Sequence, residues 1–294
     1  MVKQIFIGPD GKLRAFLRAL IFYCVGTWGL YPLVMRLVLY VARPFHIRPA
    51  LSWPFTALDE VTNLMVALIF TGIFALYEHR RIDSYGMPIH RARSLHTFEG
   101  AAVGTVTAGA VAIGMLALGG IQVRGLATSG TALAVSALGW LAVNIIIGVS
   151  EEFFYRSYLQ ITLWKSIGFW PASILIALVF TGDHYFYKQG ENIWDVITLM
   201  SLSLLMSYSL LRTGTLWFAV GFHAAFDYMQ LFVIGTPNGS QVPVGRLFDV
   251  TFTGPAWLTG GVLGTEASFL MYPAIVLLWI YVWWRYRRNP ALQV

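Results

Sequence analysis

Apolar residues run along this chain in long blocks separated by short polar segments. Blocks of roughly 18 to 25 residues recur at 17–42, 59–77, 99–122, 130–150, 170–187, 193–211, 215–234 and 268–284. Each is long enough to cross a bilayer core as a helix. They are too long and too uniformly apolar for barrel strands, and in lipid the backbone groups must be satisfied within the segment, so the pattern predicts helices. The expected fold is all-α: a polytopic membrane protein with about eight transmembrane helices, forming a single integral-membrane domain over 1–294. Two connections are longer than the rest. One is the basic segment 78–98, "EHRRIDSYGMPIHRARSLHTF". The other, 235–267, is rich in Gly, Pro and Thr and ends in "TGPAWLTGGVLGTEA", which predicts turns lying at the membrane interface.

Composition agrees with this reading. The chain is 57% hydrophobic and 12% charged, where a soluble domain carries about 25% charged residues, and its mean hydropathy is +0.66. The first block follows basic residues, as a secretory signal does, but it is too long for one and no small-x-small cleavage site follows it. It is expected to stay as an uncleaved first helix. Cys24, the single cysteine, lies within it, so the chain can form no internal disulfide.

Lysine and arginine set the expected orientation. With the N-terminus inside, the inner segments hold fourteen: Lys3, Lys12, Arg14, Arg18, Arg80, Arg81, Arg91, Arg93, Arg156, Lys165, Arg212, Arg285, Arg287 and Arg288. The outer segments hold five: Arg43, Arg48, Arg124, Lys188 and Arg246. Both termini are therefore expected in the cytoplasm, in a cell (inner) membrane. This bias, with anionic lipid as the partner, accounts for the net charge of +6 without any nucleic acid.

Ionisable residues inside spanning helices are functional candidates by default, and nine are singled out. They are Arg36, Glu151, Glu152, Arg156, Asp183, His184, Asp195, His223 and Asp227. Most fall in three short groups with helical spacing. In "GVSEEFFYRSY", Glu152 and Arg156 are i,i+4 neighbours and can pair, which leaves Glu151, rotated about 100° away, free to act. In "FTGDHYFY", Phe180 and His184 lie one helical turn apart, and in "FHAAFDY" His223 and Asp227 share a face. Each group alone is also compatible with a plain structural role: a solvated helix end, a histidine bonded between helices, a His–Asp tie. Together they supply a free carboxylate, two histidines and a further polar group. Amide hydrolysis needs such a set, because a base must deprotonate water and donors must hold the tetrahedral oxyanion.

The trio Glu151-Glu152-x-x-x-Arg156, Phe180-x-x-x-His184 and His223-x-x-x-Asp227 resembles the CAAX-protease and bacteriocin-processing (Abi, CPBP) family of intramembrane proteases. The similarity covers about 130–267, the motif-bearing core, and includes the "TGPAWLTGG" stretch; the first helices match only in kind. The resemblance implies a helical endopeptidase cleaving near the membrane surface. In it, Glu151 and His184 would activate water, His223 and Asp227 would hold the oxyanion, and Glu152 with Arg156 would support Glu151. The implied partner is a membrane-tethered protein or peptide, lipidated or bearing a C-terminal sorting tail. No cofactor is expected, although Glu151, His184 and His223 also form a conceivable zinc set. HExxH is absent.

Two rival readings carry their own signatures. A transporter or proton pathway would place polar residues in corresponding helices of two halves, and here the set lies in the fourth, fifth and seventh blocks. A non-catalytic immunity or scaffold protein could keep the motifs without using them. One mismatch stands out. Hydropathy puts Glu151 at the inner end of the fourth block, whereas His184 falls about 14 residues into the fifth, ~21 Å away along the axis. The two can meet only if the fourth helix continues through 151–165, and the site is then expected to open toward the cytoplasmic leaflet.

Overall fold

A computed structural model describes residues 6–8 and 11–294. Lys3, counted in the inner set, lies outside the described residues. Eight long helices appear where the eight blocks predict them. They are α1 (Ala15–Phe45), α2 (Trp53–Glu78), α3 (Leu95–Ala117), α4 (Gly130–Ile167), α5 (Phe169–Tyr187), α6 (Ile193–Thr213), α7 (Trp217–Ile234) and α8 (Met271–Tyr286). Among the described residues, seven helices are long and apolar enough to cross a membrane; α5, the helix carrying Asp183 and His184, falls outside that set. The bundle turns many large apolar side chains outward, as lipid-facing helices must, while buried apolar clusters fill the spaces between helices.

Three boundaries differ from the sequence reading. α2 begins six residues earlier than its block, at Trp53 with Pro54 in the first turn, where a missing N–H costs nothing. α3 stops at Ala117, and Ile121–Leu126 forms a strand, β1. β1 pairs antiparallel with β2, Phe248–Phe252, in the register Ile121 to Phe252 and Val123 to Val250. α4 runs past its charged residues to Ile167, so the continuation that the chemistry demanded is present.

Helix α7 is the centre of the bundle, and small residues let it sit there. A Cβ on Gly100 or Gly104 of α3 would meet the carbonyl oxygens of Phe218 and Phe222 at 2.1 and 2.3 Å. One on Gly221 would meet the Thr97 carbonyl at 2.0 Å. The backbones of α3 and α7 are thus in direct contact, a small-residue crossing of the kind that joins membrane helices. Gly148 of α4 gives the same close approach to Val220 on the other side of α7. His223 is therefore held between two tightly packed neighbours.

Two carboxylates lock one end of the bundle. Glu78 accepts from Arg18, from Tyr158 at 2.8 Å and from Tyr85 at 3.0 Å, tying α1, α2 and α4 together. Glu99 accepts from Tyr281 at 2.6 Å, Tyr286 at 2.8 Å and Arg285 at 2.9 Å, tying α3 to α8. Backbone bonds from Leu216 to Gly86 and from Leu292 to Leu211 place the segment 78–98, the α6–α7 turn and the C-terminal segment at this same end.

Candidate functional site

The mismatch between Glu151 and His184 disappears once α4 is followed to its end. Glu151 lies 16 residues before Ile167, and His184 lies 15 residues after Phe169 on the antiparallel partner helix, so both stand ~22–24 Å above the shared turn at Gly168. They line one cavity of about 870 Å³ inside the bundle, together with Glu152, Arg156, His223 and Asp227. All six candidates from the three motifs reach this space.

Five of the six form one connected cluster. Glu152 and Arg156, each 1% exposed, pair at 2.7 Å. The second guanidinium nitrogen of Arg156 donates to Ser203 Oγ at 2.8 Å, and its plane lies 5.1 Å from the Phe180 ring centre. The Glu152 oxygen that takes Arg156 also takes His223 Nδ1 at 3.1 Å. An ionised carboxylate can only accept, so His223 donates from Nδ1, and its orientation is fixed. Its Nε2 then faces Glu151 at 3.7 Å and Asp227 at 3.5 Å. The Oε2 atom of Glu151 is buried with no hydrogen-bond partner. The pairing expected within the first motif is thus present, with the addition that Glu152 also aims His223.

His184 stands apart from this cluster. Its Nδ1 is 2.9 Å from the Phe180 carbonyl, to which it donates, leaving Nε2 with a free lone pair. Among the described residues no hydrogen bond joins His184 to Glu151. The zinc set Glu151, His184 and His223 does not converge either: no group of three His, Cys, Asp or Glu among the described residues is arranged to hold a metal ion.

The remaining charged candidates have structural positions. Asp183 lines the cavity and accepts from Tyr23 and, at 2.8 Å, from Tyr155, joining α1, α4 and α5. Asp195 sits in the first turn of α6, capped by Asn192 and paired with Lys188 at 3.2 Å. Arg36 is exposed on the outside of α1. Arg156 was counted among inner cytoplasmic charges; it lies instead in the bundle core, where Glu152 compensates it, and so carries no topological weight.

Other lining groups escaped the sequence reading. Glu60 of α2 is buried, accepts from Ser150 next to Glu151, and lines the cavity with Asp59 and Asn63. The polar set is therefore not confined to α4, α5 and α7. Glu266 and Gln230 meet at 3.2 Å, and Glu266 takes Lys188 at 2.8 Å. Burial works to lower Lys188, but Glu266, Asp195 and Glu191 around it raise its pKa overall. Glu60 falls second in the block 59–77 and so reads as part of a polar helix end; the helix in fact begins at Trp53, which puts Glu60 two turns inside it.

Local backbone geometry also marks this region. Three π-helical segments, Val25–Leu30, Glu152–Leu159 and Tyr228–Ile234, interrupt α1, α4 and α7, and each contributes lining residues. Such interruptions widen a turn and re-aim its side chains, and they gather at functional sites.

The fold and the cavity define a polytopic membrane protein with a carboxylate–histidine site inside its helix bundle. Residues 133–229, about a third of the chain, match the family model described as type II CAAX prenyl endopeptidase, Rce1-like, so this core is similar to that family. The match contains all three motifs and ends before the "TGPAWLTGG" stretch. A comparison with curated proteins finds no match.

Removing Glu152 tests the buried network. Glu152→Ala leaves Arg156 uncompensated in the core and His223 without its Nδ1 acceptor, a cost of ~3–5 kcal/mol. A clear fall in the midpoint of thermal unfolding in detergent is expected, with Glu151→Ala close to the parent. Equal midpoints for both variants and the parent would rule out this account.

Proposed function

We propose that the chain is an intramembrane endopeptidase that hydrolyses a peptide bond of a membrane-associated protein or peptide. The observation that carries this is the convergence on one cavity of an unpartnered Glu151 oxygen and of a His223 ring locked by Glu152 and Arg156. The family match supports the same reaction class.

In this reading a water enters between Glu151 and His184. Glu151 takes its proton, and the lone pair of His184 Nε2 orients it. The water oxygen attacks the scissile carbonyl carbon, and the carbonyl π electrons move to oxygen. His223, as the imidazolium with Nδ1–H on Glu152, donates Nε2–H to that oxyanion together with the Asp227 side chain, the step at which preorganised donors contribute most. The intermediate collapses, the C–N bond breaks, and the proton held by Glu151 passes to the departing amine. Glu152 and Arg156 touch no reacting atom; they are positioning residues, aiming the His223 ring through its Nδ1–H and holding helix α4 in place.

The donor geometry favours a metal-free form of this chemistry. Purified protein is expected to contain far less than one zinc per chain and to keep its cleavage of membrane peptides in the presence of a strong chelator. Metal analysis showing one zinc per chain, lost in His184→Ala, would reverse the choice. Comparative peptidomics of cells carrying the parent protein or Glu151→Ala would identify the substrates: they should persist uncut in the variant.

A further inference from the structure

Among the described residues, the loops that line the cavity all lie at one end of the bundle. Its lining includes Leu51, Lys188, Gln189, Asn238, Gly239 and Gln241, all from connections between α1 and α2, α5 and α6, or α7 and α8. None of its lining residues comes from 79–94, the turn at Gly168, the α6–α7 turn or the segment after α8. Those latter segments share the end closed by Glu78 and Glu99. The cavity lining stops short of the end where α4 finishes: α4 runs ~24 Å beyond Glu151 before it reaches that end, and its aromatic side chains fill the space.

Charge distinguishes the two ends. With Lys3 undescribed and Arg156 in the core, twelve of the fourteen inner lysines and arginines remain at the closed end. The open end holds five, and of these Lys188 is buried among carboxylates while Arg246 pairs with Asp249 at 3.0 Å. The excess of Lys and Arg marks the cytoplasmic side. Leaving out Arg156, which lies in the core, and Lys3, which is outside the described residues, keeps the bias intact.

We infer that the cavity opens on the non-cytoplasmic face, so that the chain it admits is the external segment of a membrane-tethered protein or an exported peptide. The endopeptidase reading underlies the nature of that occupant; the direction of the mouth does not depend on it. Besides the mouth, the cavity reaches Thr27, Trp28 and Tyr31 at the π-helical segment of α1, which bounds it toward the lipid. A polypeptide anchored in the bilayer can thus reach Glu151 from the outer half of the membrane.

Thiol accessibility separates direction from activity. In a Cys24→Ala background, single cysteines are placed at Asn63 inside the cavity, at Gln241 on its rim and at Arg288 on the closed end. Each is exposed to a charged, membrane-impermeant maleimide in right-side-out and in inverted vesicles. The expected result is modification of Asn63→Cys and Gln241→Cys only in right-side-out vesicles and of Arg288→Cys only in inverted ones. Modification of Asn63→Cys from the inverted side, or from neither side, overturns the proposal. The labelling needs no turnover, so its outcome stands whether or not the protein cleaves peptides. If labelling follows expectation while the parent protein hydrolyses no membrane peptide presented on the outer face, the endopeptidase reading fails and the direction of the mouth survives.

Discussion

Glu151→Gln should abolish peptide hydrolysis while leaving the fold unchanged, a loss of ~10²–10⁴-fold if general-base catalysis is all that is removed. Gln keeps the volume of Glu and can still donate or accept hydrogen bonds, but it cannot take a proton from water. The substitution breaks no hydrogen bond at Glu151 Oε2, which is buried 3.7 Å from His223 Nε2 with no hydrogen-bond partner. The Glu152–Arg156 pair and the Glu152–His223 contact remain at 2.7 and 3.1 Å. Glu60 is the nearby carboxylate that could stand in, but it already accepts from Ser150. Turnover by purified Glu151→Gln at the parent rate, with an unchanged unfolding midpoint, would remove Glu151 from the chemistry.

The features that the sequence made legible follow a single helical period. Glu152 with Arg156 and His223 with Asp227 are each four residues apart, so their shared faces could be read once the blocks were taken as helices. The helices themselves were legible because lipid permits long apolar segments few other conformations. Features that depend on compensation between helices were hidden. Arg156 reads as a cytoplasmic charge until Glu152 and Ser203 are seen around it, and hydropathy ends α4 where the pair begins. Glu60 sits at a polar boundary in the sequence, yet six residues of helix precede Asp59, and Glu60 is buried against Ser150.

Irregular backbone was equally hidden. The apolar residues of Ile121–Leu126 extend the third block, but Gly119 and Gly120 end the helix, and the strand finds its partner more than a hundred residues later. The π-helical segments have no composition of their own. They lie where α4 packs against α1 and α5, and where α7 packs against α4.

Asp227→Leu should lower turnover by ~10²–10³-fold, the cost of one lost oxyanion donor, while Asp227→Asn should stay close to the parent. The argument rests on how His223 is held. If Asp227 served mainly to orient or charge this ring, Asn would fail as Leu does. But Glu152 already fixes the ring through Nδ1 at 3.1 Å, and Arg156 fixes Glu152. Asp227 approaches the other nitrogen, Nε2, at 3.5 Å, on the side that faces Glu151 and the cavity. Its remaining task is at the reacting atoms, where a protonated carboxyl or an amide can donate to the oxyanion and a leucine cannot. Leucine keeps the branch at Cγ but is larger and offers no hydrogen bond, so an unfolding midpoint unchanged from the parent is needed for the loss to read chemistry. The split between kcat and KM sharpens the test. An interaction made only with the oxyanion lowers kcat and leaves KM unchanged. An Asp227→Leu variant with full kcat, or an Asp227→Asn variant as inactive as the leucine, would take the oxyanion role away from this residue.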